Sequence, residues 1–151
     1  MRIARSIFGV LGGIVVLTVL SFAIEWAVDP ILLRLFPRAL PDPSALNTEL
    51  YASLLMYVYT FLCVVAGGYV TAWIAGRMGV LHAVVMGIVQ LGLTVYAMKA
   101  VVVHAPARNW IIGMITVVPA AWIGGLLRAR QTRRPATVQE MPGRAVASWR
   151  R

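Results

Sequence analysis

The sequence is poor in charge, in acid and in the residues that build reactive centres. Asp and Glu number only five in 151 residues, and charged residues of all kinds make up 13%, where a soluble domain carries about a quarter. A water-soluble domain with a solvated charged surface is excluded on that ground. The single cysteine, Cys63, stands inside an apolar run, so there is no disulfide framework and no cysteine-based metal site. A packing role suits it better than a reactive one. His82 and His104 would lie about 33 Å apart along one helix and cannot share a metal or a haem. No His-Glu-x-x-His, no phosphate-cradling glycine loop and no serine or cysteine beside a base is present. The reading therefore assigns no catalytic, cofactor-binding or metal-ligating residue and disfavours an enzyme.

What fills the chain instead is apolar sequence: 60% of residues are hydrophobic and the mean hydropathy is +0.81. Four runs approach or exceed the roughly 20 residues that a membrane-crossing helix needs: about 7–28, 51–75, 80–98 and 109–127. The fold class is all-α, a polytopic four-transmembrane-helix bundle over residues 1–128. Residues 129–151 form a basic tail of little apolar content, expected to be disordered. In the first run Ser21-Phe22-Ala23 has the small-x-small form of a signal-peptide cleavage site, which would remove residues 1–23. The apolar region is longer than a signal peptide's, and Gly9-x-x-x-Gly13 suits helix packing. The run is expected to stay as a span.

Between the first two spans, residues 29–50 are polar and proline-rich. The short apolar piece Ile31–Phe36 is expected to lie along the membrane surface, with Arg34 reaching toward headgroups. Asp42-Pro43 reads as an N-cap followed by proline at the first helical position, which would start the second helix outside the bilayer and run it in continuously. Ser53, Tyr57, Thr60, Val64, Gly67 and Thr71 then form one small or hydroxyl-bearing seam. Helix packing is the commoner use of such a seam and a ligand groove the sharper one. In the fourth span Pro119 frees the carbonyl of Ile115 and invites a kink.

The second and third spans meet at a turn around Arg77-Met78. Small residues recur every fourth position on both sides, and a hairpin folded at that turn sets Gly68 opposite Gly87, Ala72 opposite Ala83 and Gly76 opposite Gly79. Matching small residues at one depth let two membrane helices approach backbone to backbone, although a chain with 13 glycines also produces such matches by chance. Gln90 falls near the middle of the third span and should point into the bundle, where an interhelical hydrogen bond is its ordinary role. Glu25 and Lys99 both fall about 12–13 Å from the midplane, just inside the hydrocarbon rim, and are candidates for an ion pair. Separate snorkelling to water is the alternative.

Charge distribution sets the orientation. The N-terminus, the hairpin turn and the tail carry ten basic residues, the two other connections four, and four of the five acids lie on that poorer side. The positive-inside rule puts both termini in the cytoplasm. Trp26, Tyr51, Tyr96 and Trp110 then mark the outer boundary, Trp73 and Trp122 the inner one. The arginines from Arg128 onward would face anionic lipid headgroups, each contributing about 1 kcal/mol. Nucleic acid is not needed to explain them.

Gly67-Gly68-Tyr69-Val70-Thr71-Ala72-Trp73-Ile74-Ala75-Gly76-Arg77, followed by Leu81-His82-Ala83 and Gly87, resembles a recurring hairpin of small, uncharacterised bacterial four-helix membrane proteins. The resemblance covers about a seventh of the chain. It implies a bacterial inner-membrane location and no established activity, and it carries over no functional residue. The chain is also similar in span count to small four-helix multidrug exporters, but those place a glutamate deep inside helix 1, where this chain has Ile14-Val15-Val16-Leu17-Thr18. The leading expectation is a non-enzymatic membrane component that packs through small-residue faces with itself or with a membrane protein partner. A small transporter or channel subunit acting as an oligomer is the alternative.

Overall fold

The structure, a computed structural model, describes residues 2–41, 45–76, 78–100 and 107–132. Among them lie α1 (Arg2–Leu35), the one-turn α2 (Ala45–Thr48), α3 (Leu50–Ala75), α4 (Gly79–Ala100) and α5 (Ala107–Thr132). All but α2 are long and apolar enough to cross a membrane. The class is all-α, a four-helix bundle of a multi-pass membrane protein. Large apolar side chains point outward all round, with Phe8 68%, Trp26 85% and Tyr96 70% exposed. A soluble monomer does not present continuous apolar surface on that scale; a lipid-covered one does.

The start of α1, the α3–α4 turn and the end of α5 lie at one end of the bundle, called here the hairpin end. The opposite end is the open end. α3 is the hub. It packs extensively on α1 and on α5, α5 packs on α4, and α1 touches α4 more sparingly.

Glycine makes this possible on the hairpin half. A methyl group on Gly13 of α1 would run into the Thr71 hydroxyl and would lie 2.7 Å from the Gly67 carbonyl oxygen. One on Gly68 would meet the Ala121 backbone of α5, and one on Gly124 would meet the Val65 carbonyl and the Tyr69 nitrogen. Gly87 and Gly125 of α4 and α5 sit equally close to Ala121 and Ala83. Successive positions of α3 thus serve different partners, Gly67 for α1 and Gly68 for α5. Close backbone approach of this kind replaces the hydrophobic drive that lipid removes. Below the mid-level Leu17, Val64, Met86, Val117, Ala120 and Ala121 form the core, one or more from each long helix.

Several expectations change. The mirror pairing about the turn does not form as such. Gly68 and Gly87 both have Ala121 as their nearest neighbour, Gly79 packs against Ala72, and Gly125 packs against Ala83. The reason is α5, which wedges between the two arms and takes the small faces that the hairpin alone would have shared. Gly76 instead caps α3 with φ +71, a left-handed value at which glycine carries no side-chain penalty. Its nitrogen bonds the Ala72 carbonyl at 3.1 Å.

Residues 31–35 are a continuation of α1 through Pro30, not a separate surface segment. Leu32 and Leu33 hold it there by packing on buried Leu40, Ala45, Leu46 and Ala52. That burial outweighs the single backbone bond that an interior proline removes. The second span does not begin as one continuous helix either, because Glu49, with φ −72 and ψ 131, separates α2 from α3. The Asp42-Pro43 cap, Arg77, His104 and the tail arginines beyond Thr132 lie outside the described residues. The first residues of the tail, 129–132, are the last turn of α5.

Candidate functional site

The small residues that close the hairpin half run out toward the open end, and the helices part. Between them lies a cavity of about 420 Å³, within the roughly 300–1,000 Å³ usual for small-molecule sites. From α1 it is lined by Thr18, Ser21, Phe22 and Glu25, which recur at helical spacing on one face. α3 contributes Tyr57, Thr60 and Phe61, α4 contributes Gln90 and Thr94, and α5 contributes Asn109, Trp110, Gly113 and Thr116. Its floor is the bundle core, Leu17, Val64, Val117 and Ala120. Gly113 has nothing within 4 Å of where a Cβ would stand. That glycine opens space, where Gly68 and Gly124 close it.

Three of the six hydroxyl side chains on the wall are committed. The Tyr57 phenol donates to Asn109 Oδ1 at 2.6 Å, joining α3 to α5 at the open end. Thr94 donates to the Gln90 carbonyl at 3.0 Å and Thr116 to the Ile112 carbonyl at 2.8 Å, each back along its own helix. Among the uncommitted polar groups are one amide and one carboxylate. The Gln90 amide and the Glu25 carboxylate have no hydrogen bond or ion pair among the described residues.

The sequence-predicted residues separate accordingly. Gly68, Ala72, Gly79, Ala83 and Gly87 pack helices together, with Ala72 3% and Ala83 0% exposed. Glu25 and Gln90 share the cavity. Lys99 does not join them: it is exposed in the last turn of α4, and no ion pair links it to Glu25 among the described residues. The expected pair fails because α1 turns Glu25 inward to the cavity, while Lys99 leaves the bundle at its edge. The interhelical bond expected of Gln90 is also not made. The α3 seam divides by level, with Gly67 and Thr71 buried in packing, Tyr57 and Thr60 on the cavity wall, and Val64 buried between them.

Two constellations escaped sequence reasoning. At the hairpin end, Arg5 Nε donates to the Ile74 carbonyl at 2.7 Å, capping α3. His82 Nδ1 donates to the Met78 carbonyl at 3.0 Å, and its Nε2 lies 2.9 Å from the Ser6 hydroxyl. Consecutive residues of α1 thereby clamp both sides of the turn. Tyr69 donates to Gln131 Oε1 at 2.7 Å at the same end. The other is the α5 face of Asn109, Gly113, Thr116 and Ala120, whose four-three-four spacing was the available signal. Among the described residues no group of three His, Cys, Asp or Glu side chains could hold a metal. Cys63 is buried in α3. No protein-family model, no curated protein and no solved structure matches this chain.

Proposed function

We propose that this chain is a non-enzymatic membrane protein that receives a small molecule in its open-end cavity, as a small transport or carrier component. One observation carries the reading: a ligand-sized space in the spanning region is walled by polar groups, and the Gln90 amide and the Glu25 carboxylate among them have no partner among the described residues. Ionisable and amide side chains at such depth are costly and mark binding paths by default. The rival reading is an accessory component that assembles through small-residue faces, with itself or with another membrane protein. It is the weaker one because those faces are already spent inside the chain, Gly68 and Gly87 on Ala121 and Gly79 on Ala72.

The hairpin end belongs in the cytoplasm by the basic-residue count, the setting is a bacterial inner membrane, and the tail arginines lie on anionic headgroups. The cavity then opens toward the outer leaflet. Alkaline phosphatase inserted after Arg38 should be active, and the same enzyme fused to the C-terminus inactive. The reverse pattern overturns the orientation.

The cavity reading is tested with the full chain in lipid nanodiscs and an uncharged, environment-sensitive naphthalene dye. Gly113→Leu projects a side chain into open cavity and should cut specific dye binding several-fold. Gly92→Leu, with nothing within 4 Å of its Cβ position on an exposed part of α4, should bind as the parent chain does. Unchanged binding in Gly113→Leu overturns the reading.

A further inference from the structure

We infer that the cavity selects an organic ammonium, whose charge sits at Glu25 and whose apolar body lies among Phe22, Tyr57, Phe61 and Trp110. The inference rests on the reading of the cavity as a ligand site and adds the chemical class of the ligand.

Charge is the first argument. Glu25 is a carboxylate on the cavity wall with no cation bonded to it among the described residues. Asp29, one turn further along α1, is its nearest charged neighbour and has the same sign. Arg34, Arg38, Lys99 and Arg108 at this end are all exposed and none reaches the carboxylate. An unpaired charge at the edge of hydrocarbon is expensive, and a cation in the cavity offsets that cost. An anionic ligand would add to it, and a neutral one would leave it standing.

The lining is the second argument. Four aromatic rings from α1, α3 and α5 surround the space. Ring faces attract an alkylated ammonium, and this is how such cations are held elsewhere. A bare divalent ion fits badly, because it needs six or more oxygen ligands and no third acidic or imidazole ligand is at hand among the described residues. The volume of about 420 Å³ suits an ammonium bearing an apolar group. Beneath, Gln90 offers an uncommitted amide for a polar substituent. The ammonium could come from a free cation or from an ethanolamine lipid headgroup at the outer leaflet; the chemistry at Glu25 is the same.

The test uses the full chain in nanodiscs, with benzyltrimethylammonium as probe and neopentylbenzene as its uncharged counterpart of equal shape. Both are measured by displacement of the naphthalene dye. The cation should displace at least ten-fold more tightly than the neutral compound. Glu25→Gln should abolish that preference while the empty protein melts no lower than the parent chain, and Trp110→Leu should weaken the cation several-fold even if Glu25→Gln folds poorly. Anionic nanodiscs with and without phosphatidylethanolamine separate the sources: weaker probe binding in the presence of the lipid assigns the site to the headgroup, equal binding to a free cation. Equal displacement by the charged and neutral probes, or an undiminished preference in both variants, overturns the inference. If Gly113→Leu still blocks the dye in that case, the cavity reading survives and only the ammonium falls.

Discussion

Gly68 of α3 lies against the backbone of Ala121 of α5, so close that a methyl group on the glycine would stand 2.9 Å from the Ala121 Cα. Backbone cannot rotate aside as a side chain can. Gly68→Ala and Gly124→Ala must therefore separate α3 from α5, at a cost of about 1–3 kcal/mol each by overpacking. Gly92→Ala, where the space is open, removes only the glycine penalty and should stabilise by about 0.5–1 kcal/mol. Thermal melting in detergent, followed by circular dichroism, separates the two classes. Equal effects at Gly68 and Gly92 would mean that the helices do not touch there.

The hairpin-end clamp makes a second prediction. Arg5 caps the C-terminus of α3 through the Ile74 carbonyl, and Ser6 meets His82 at the start of α4. Arg5→Met should cost about 0.5–1 kcal/mol, the usual worth of a cation at a helix C-terminus. Ser6→Ala and His82→Ala, each near 1 kcal/mol for a lost bond, should be coupled. The double variant should lose measurably less than the two singles together. Strict additivity would show that the ring and the hydroxyl do not interact.

How much of this was legible beforehand follows from range. The four spans could be read because each is a local run of apolar residues, and their boundaries at Leu50, Ala75, Gly79 and Ala107 fall within two residues of those expected. The Gly9-x-x-x-Gly13 face was legible too, since both glycines meet α3. The partners of Gly68 and Gly87 were not. A pairing rule for one hairpin has no knowledge of α5, which competes for the same faces from 34 or more positions away. The cavity was hidden for a similar reason. It is made where four helices part at one level and Gly113 leaves room between them, and no single segment records that. Glu25 could be singled out by its chemistry. Its surroundings could not be, because they come from three other helices.

Tyr59 and Tyr57 give opposite expectations for the same substitution. The Tyr59 side chain is 7% exposed, and its hydroxyl has no partner among the described residues. Tyr57 donates to Asn109. Removing a buried, unpaired hydroxyl relieves a desolvation cost, so Tyr59→Phe should be neutral or stabilise by about 1 kcal/mol. Tyr57→Phe leaves the Asn109 amide short of a partner and should cost about 1 kcal/mol. Melting temperatures of the two variants should shift in different directions. A destabilised Tyr59→Phe would reveal a partner for that phenol.

Glu25 and Lys99 allow a last prediction, opposite to the one that their depth alone suggested. Equal distance from the midplane and opposite sign made them natural partners, and α1 does touch α4. Contact between helices does not decide where side chains point, however. Glu25 sits on the face of α1 that continues Thr18, Ser21 and Phe22 into the cavity. Lys99 is exposed at the end of α4, where its long stem carries the ammonium to water or headgroups at little cost. Groups with no shared partner respond independently. Glu25→Gln and Lys99→Met should therefore add to within about 0.3–0.5 kcal/mol in the double variant. Of the two, Lys99→Met should be nearly silent, since it exchanges one lipid-facing stem for another. Glu25→Gln should stabilise the empty protein, because it removes an unpaired charge from low-dielectric surroundings. A double variant that departs from additivity by 1 kcal/mol or more would restore the ion pair. It would also remove the unpaired carboxylate on which selection of an ammonium depends.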